Sequence, residues 1–279
     1  MPLIELRNVS KAYRRGGFFS RKERVPVLEG VDLDLHAGEC LGLVGRSGSG
    51  KSTLGRIMLG LEAPDSGTAK ILETDVSAGR SLSPQLRRAV QVVFQDSIGS
   101  CNPRMTAGEI IAEPLRNFEG LRGRNLREKV EHLMETVGLS PADADKLPSR
   151  FSGGQLQRVC IARALAPTPR VIVLDEAVSS LDMIIQARIL DLLDKLRREH
   201  GTAYLFVTHD LRLVRRFCDR AFIVSERQLH AFSPKQAVPE SLPLGPAASA
   251  LAELSGAVLA PMPVRDGATG RAGALPPTS

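Results

Sequence analysis

No stretch of about 20 consecutive apolar residues occurs in this 279-residue chain, so no helix is expected to cross a bilayer. The nearest approach, AASALAELSGAVLAPMPV near the end, is interrupted by Glu253 and two prolines and consists mostly of small side chains. The four cysteines, Cys40, Cys101, Cys160 and Cys218, are scattered, with no Cys-x-x-Cys pair and no histidine nearby at metal spacing. Reduced, mostly buried thiols in a cytosolic chain are therefore expected. The opening MPLIELRNVS is charged where a signal peptide needs an apolar core, which argues against export. The five histidines (His36, His132, His200, His209, His230) form no ligand-spaced set. An Asn-Lys-x-Asp guanine-reading motif is absent too, which removes the GTPase class. There is no internal repeat.

The residues present are 43% hydrophobic, ample for a core, and Lys and Arg total 37 against 31 Asp and Glu, a formal charge of +6. A mildly basic balance suits phosphates, nucleic acid or an anionic surface and discriminates poorly among them. The basic pairs, such as Arg87-Arg88 and Arg215-Arg216, read as solvated faces. LIELRNV and VDLDL alternate as half-buried antiparallel strands do. LGLV runs apolar into Gly45, and a helical pattern starts at Thr53-Leu54 and stops near Gly60. Apolar runs follow at VQVVF (core 91–94), VIVL (171–174), YLFV (204–207) and AFIV (221–224). Helical patterns separate them, among them IIQARILDLLDKLRREH, whose Ile185, Ile189, Leu192, Leu193 and Leu196 share a face. Buried strands alternating with helices indicate an α/β fold with a largely parallel sheet and an antiparallel portion. Met105 to Ala166 reads as a helical insertion. The expected organisation is a core over about 1–95 and 167–232, a helical subdomain over about 96–166, and a Pro/Ala/Gly-rich tail over 233–279. Such a tail has too little apolar mass to offset its ordering entropy and is expected to be flexible, with short helix around Ala247 to Leu254.

The segment Gly45, Arg46, Ser47, Gly48, Ser49, Gly50, Lys51, Ser52 fits G-x-x-x-x-G-K-[ST] and follows an apolar strand, the context a phosphate-binding loop needs. Its glycines let backbone N–H groups curl around phosphates, and the helix start adds its dipole. Lys51 is expected at the β- and γ-phosphates, Ser52 on Mg²⁺, and Thr53 at the α-phosphate. VIVLDE supplies a matching acid at a strand tip. A carboxylate there is costly unless it meets a cation, so Asp175 is expected on Mg²⁺ through water. Glu176 is placed to orient or deprotonate an attacking water. His209 in FVTHD and Gln95 in VVFQD each end a strand and, taken alone, read as structural polar residues. Tyr13, one of only two tyrosines, is either a platform for adenine or core. Ser152, Gly153, Gly154 and Gln155 open a helix with free N–H groups, an anion site without an anion of its own.

Together these pieces resemble the ATP-binding subunits of ATP-binding cassette (ABC) transporters over residues 3 to about 232, with six motifs in the family's order. The resemblance implies ATP hydrolysis and roles for single residues. Gln95 would ligate Mg²⁺ and sense the membrane partner, His209 would contact the γ-phosphate, and Asp182 in SSLD would couple two sites. It also implies two such subunits sandwiching two ATP molecules, the SGGQ of one closing over the γ-phosphate on the other's loop. Phe151, Ala177 and Ser180 depart from the family's usual Leu, Pro and Ala; none removes a catalytic group.

FQDSIGSCNPR, SGGQLQRVCIARALA, LDEAVSSLD and THDLRLVRRFCDR are most similar to the peptide and nickel importer branch, and within it to E-type nickel subunits. No cysteine follows Cys218, whereas peptide-importing relatives often carry a C-terminal cysteine cluster. The implied partners are a D-type homologous ATP-binding subunit, two membrane permeases docking on the groove around Gln95 to Pro114, and indirectly a substrate-binding protein. Nucleic acid is not among them, and membrane contact runs only through the permeases, at the cytoplasmic face of a bacterial inner membrane. Di- or oligopeptide and metal-chelate import are the alternatives. A DNA-repair ATPase of the same superfamily would need a much longer insertion between loop and signature, and a translation-factor ATPase would need two cassettes.

Overall fold

The computed structural model describes residues 1–15, 23–79, 81–179, 181–234, 248–251 and 254. Ser180 and most of the tail lie outside them. Two long strands open the chain, β1 (Pro2–Arg15) and β2 (Glu23–His36), followed by the short apolar β3 (Cys40–Val44). Helix α1 (Lys51–Met58) leads to β4 (Ser66–Ile71), β5 (Thr74–Asp75), α2 (Pro84–Ala89) and β6 (Val90–Val93). Next come three longer helices, α3 (Ala107–Glu119), α4 (Gly123–Thr136) and α5 (Gly153–Leu165). The chain then returns through β7 (Val171–Asp175), α6 (Met183–His200), β8 (Ala203–Val207), α7 (Leu211–Phe217), β9 (Arg220–Ser225) and β10 (Gln228–Phe232).

The strands form two sheets. One is antiparallel, in the order β2-β1-β4-β5; the other runs β10-β9-β3-β8-β7-β6. In the second sheet β9, β3, β8, β7 and β6 are parallel and only β10 is antiparallel. The fold is thus the α/β arrangement with a largely parallel sheet and an antiparallel portion.

Parallel strands covered on both faces read as continuous apolar runs, because neither side meets water. Their alternation shows where each face goes. Tyr204 and Phe206 of β8 and Ile172 and Leu174 of β7 enter the cluster formed with α3 to α7. Leu205, Val207, Val171 and Val173 enter the opposite cluster, with α1 and the antiparallel sheet. Leu41 and Leu43 of β3 join that second cluster too. Gly42 between them is pressed close: an added Cβ would meet Cys218 Sγ and Val214 Cγ1 at 3.0 Å and Ala221 Cβ at 3.2 Å. Gly42→Ala is accordingly expected to destabilise the protein by about 1–3 kcal/mol, the usual scale of overpacking. A thermal unfolding midpoint equal to wild type would show instead that α7 yields without cost.

Some boundaries differ from the sequence expectation. β6 stops at Val93, and Phe94, expected in the strand core, is 40% exposed beyond its end. On α6 the buried residues are Ile189, Leu190 and Leu193, while Leu196 is only half-buried. The buried stripe is turned toward Leu190, which enters the same core cluster as Ile189 and Leu193. Helix α1 begins at Lys51 itself, not at Thr53. Ala248 to Leu251 and Leu254 are helical, with Leu251 buried against the core. Among the described residues no helix is long and apolar enough to cross a membrane.

Candidate functional site

The parallel strands end side by side. Leu43 of β3 is opposite Val207 of β8, and Asp175 of β7 is opposite Val207 as well. Val93 of β6 is opposite Leu174. Segments 45–53, 95, 175–176 and 209 of the sequence therefore leave the same edge of the sheet, the carboxyl ends where ligands bind in such folds.

The loop from Gly45 to Gly50 is shaped by its glycines. Gly48 and Gly50 have φ of 77° and 110°, and a Cβ at Gly48 would meet nothing within 4 Å, so the backbone there is open to an incoming group. Ser49 Oγ is buried inside this curl without a hydrogen-bond partner. An orphaned hydroxyl in an open backbone cradle at a helix start suits a phosphate. Lys51 Nζ donates to the carbonyls of Gly45 and Arg46, both at 2.8 Å, and is held over its own loop. Burial lowers its pKa, against the opposing pull of Glu176 and Asp175. Ser52 is exposed, and Thr53 is buried with Oγ1 3.2 Å from the Tyr13 hydroxyl. Tyr13 also donates to Glu62 at 2.8 Å, so its ring is fixed beside the start of α1.

Asp175 is half-buried at the tip of β7, and burial followed by its neighbour Glu176 raises its carboxyl pKa. Lys51 and Arg56 oppose that rise. Burial beside a second carboxylate thus keeps the Asp175 charge costly despite these two cations, which fits a divalent cation there. Glu176 is in the left-handed region at φ 49°, rare for a residue with a side chain. Its backbone is held on both sides: its N–H donates to Val207 O at 2.9 Å, and its carbonyl accepts from Ser179 N–H and Oγ. That strain aims the side chain across to His209, whose Nδ1 is 3.5 Å from Glu176 Oε1. Gln95 is exposed just past β6.

Ser152 caps α5 in a reciprocal box: its Oγ accepts from the Gln155 N–H at 3.3 Å, and Gln155 Oε1 accepts from the Ser152 N–H at 2.9 Å. Ser152 and Gly153 are exposed, and none of Ser152, Gly153, Gly154 and Gln155 lines the groove beside the phosphate loop. Asp182 caps α6, accepting from Ile184 N–H at 3.1 Å and Ile185 N–H at 2.9 Å. The structure thus brings together Tyr13, the loop, Asp175, Glu176 and His209. The signature at the head of α5 makes no such contact.

Sequence reasoning missed Arg56, Ser179 and the tail. Arg56 sits one helical turn beyond Ser52, but only the fold turns it toward Asp175. Ser249 and Ala250 flank a cavity of about 750 Å³ with Arg46 to Ser49 and Val224 to Glu226, and nothing in the tail's composition signals that.

An ABC transporter family model matches residues 28–179, over half of the chain. The chain belongs to the ABC transporter family. Among curated relatives of this ABC protein, the nickel import ATP-binding protein of Rhodospirillum rubrum is 50% identical over 234 residues, 84% of each chain. The protein of the same name from Escherichia coli strain K12 is 43% identical over 266 residues, 95% of this chain and 97% of its own. Among solved structures, a dimeric ATP-binding cassette in a post-hydrolysis state bound to ADP and Pi superposes with a TM-score of 0.75. It is 31% identical, and the match covers 84% of this chain and all of that one. The protein is an ABC ATPase, and the ring of groups at the sheet's edge is its candidate catalytic machinery.

Proposed function

We propose that this ABC ATPase is the energy-coupling subunit of a nickel importer. The reading rests on the 50% identity to a nickel import ATP-binding protein across 84% of both chains. Lys51 and the N–H groups of Gly45 to Gly50 hold the phosphates, and Tyr13 forms the wall for the base. Glu176 takes the proton from the attacking water, and His209 orients the γ-phosphate with it. Ser52, Gln95 and, through water, Asp175 would hold Mg²⁺, which supplies charge neutralisation between the phosphates.

The exposed anion site at Ser152 to Gly154 is completed by the γ-phosphate of a facing subunit, of the D type, and Asp182 links the two sites. ATP then stabilises the dimer and hydrolysis loosens it, a population shift with a stated differential contact. Dimeric solved cassettes at 31% identity support this arrangement. Exposed Phe94 and Ile98, beside Gln95, offer an apolar seat for a permease helix on the cytoplasmic face of the membrane. Cargo recognition belongs to the two permeases and a substrate-binding protein.

Radiolabelled nickel uptake in source cells with and without the gene, under nickel limitation and with excess peptide as competitor, tests the assignment. High-affinity uptake is expected to disappear on deletion and to return with wild type but not with Lys51→Ala. Intact nickel uptake alongside lost peptide uptake would transfer the protein to peptide import.

A further inference from the structure

The four cysteines, dispersed over 178 positions of sequence, meet in two pairs in the fold. Cys40 Sγ is 3.6 Å from Cys218 Sγ, and Cys101 Sγ is 3.4 Å from Cys160 Sγ. All four are free thiols. The pairs occupy different surroundings. Cys40 is wholly buried at the start of β3, and burial pushes its pKa well up, so it stays a protonated, inert thiol. Cys101 is on the loop after Gln95, at 6% exposure, and Cys160 is on α5, two turns past the Ser152 cap.

That loop and that helix are already joined by a ladder. Gln157, Cys160 and Arg163 are spaced one helical turn apart, and their partners are the carbonyls of Phe94, Ser97 and Ser100, also three residues apart. Gln157 Nε2 donates to Phe94 O at 3.2 Å, Cys160 Sγ to Ser97 O at 3.8 Å, and Arg163 Nη1 to Ser100 O at 2.8 Å. The loop holds its own shape through Ser100 N–H to Asp96 O at 3.1 Å and Gly99 N–H to Asp96 Oδ1 at 2.9 Å. Its carbonyls thereby face the helix in register, and Cys101 is delivered to the middle rung.

We propose that Cys101 and Cys160 form a reversible thiol–disulfide site, which peroxide closes into a covalent strap between the loop after Gln95 and the helix that carries Ser152. Cys101 is the attacking sulfur. Its contact with the Cys160 thiol, together with the charge of Arg163, brings its pKa down to about 7 despite partial burial, so thiolate is present at neutral pH. The Cys101 sulfur attacks one peroxide oxygen, the O–O bond breaks, and hydroxide leaves to become water, giving a sulfenic acid. Cys160 Sγ then displaces the sulfenic hydroxyl, which departs as a second water with the Cys160 proton. The net change is two thiols and one hydrogen peroxide to one disulfide and two waters. A bonded S–S distance of about 2.05 Å requires the two sulfurs to close by roughly 1.4 Å.

The test uses the full-length protein, folded and reduced, treated with hydrogen peroxide, then alkylated and mapped by mass spectrometry without reductant. A single cross-linked peptide pair joining Cys101 to Cys160, lighter by two hydrogens and lost on treatment with dithiothreitol, is the expected result. Cys40 and Cys218 are expected to be recovered as free thiols. In Cys160→Ser the sulfenic acid at Cys101 has no resolving partner and should be trapped by dimedone, several-fold more than in wild type. Recovery of Cys101 and Cys160 as free thiols in the folded wild-type protein would overturn the proposal, as would a cross-link joining Cys40 to Cys218 in their place. The wild-type map decides the matter even if Cys160→Ser does not fold.

Discussion

Glu176→Gln is expected to lower ATP turnover by about 10²–10⁴-fold, the scale of losing a positioned general base, while ATP still binds. Glutamine preserves the size of the side chain. It also preserves the left-handed backbone at φ 49°, because the bonds to Val207 and Ser179 are made by main-chain atoms. What disappears is the proton acceptor 3.5 Å from His209 Nδ1. A negative charge beside Asp175 and Lys51 goes with it, which reduces repulsion of a bound triphosphate. The variant should accumulate as an ATP-bound dimer, read by single-turnover hydrolysis together with size-exclusion chromatography in ATP. Turnover at the wild-type rate would remove Glu176 from the role of base and leave His209 as the next candidate.

Gly153→Asp carries the second large effect, and it separates folding from function. A Cβ at Gly153 meets nothing within 4 Å, its φ is not in the left-handed range, and the residue is exposed. An aspartate in the first turn of α5 also opposes the positive end of the helix dipole, which favours the helix by a few tenths to about 1 kcal/mol. The thermal midpoint should stay level or rise slightly. The isolated chain should bind ATP normally, because the signature lies outside the groove beside its own phosphate loop. Yet the new carboxylate stands in front of the N–H groups proposed to receive a partner's γ-phosphate. Turnover and ATP-dependent dimer formation are expected to fall at least about 10²-fold, the scale of losing one preorganised anion donor. Gly154 would not make so clean a test, since a Cβ there comes to 3.2 Å from Leu181 Cδ2. Normal turnover in Gly153→Asp would mean that the exposed cap binds no phosphate, and the head-to-tail sandwich would fall with it.

How legible each element was depends on how local its cause is. The phosphate loop could be read outright, because glycines, lysine and hydroxyl act within nine consecutive residues on one strand-to-helix turn. β7 and β8 were legible for a similar reason: burial on both faces makes a strand a plain apolar run. β4, β5 and β10 carry no such signal. SGTAKI, TD and QLHAF are short and largely exposed, and they become strands only because β1, β4 and β9 in turn offer them edges to pair with. The end of β6 was overrun by one residue because Phe94 looks like core until the chain turns away into its loop.

The sequence alone determined the α/β fold, the glycine-rich strand-to-helix turn at 45–53, the acid pair at the tip of the strand ending at 175–176, and a capped helix start at Ser152. These follow from residue types in runs of a few positions, where propensity, capping and glycine geometry act over one turn of chain. Tertiary structure alone decided which distant groups meet. Strand order put His209 across from Glu176, the packing of α1 beside β7 brought Arg56 within electrostatic reach of Asp175, and the register of α5 against the loop after Gln95 placed Cys101 against Cys160. Such pairings depend on how whole elements pack, and no window of consecutive residues contains that information.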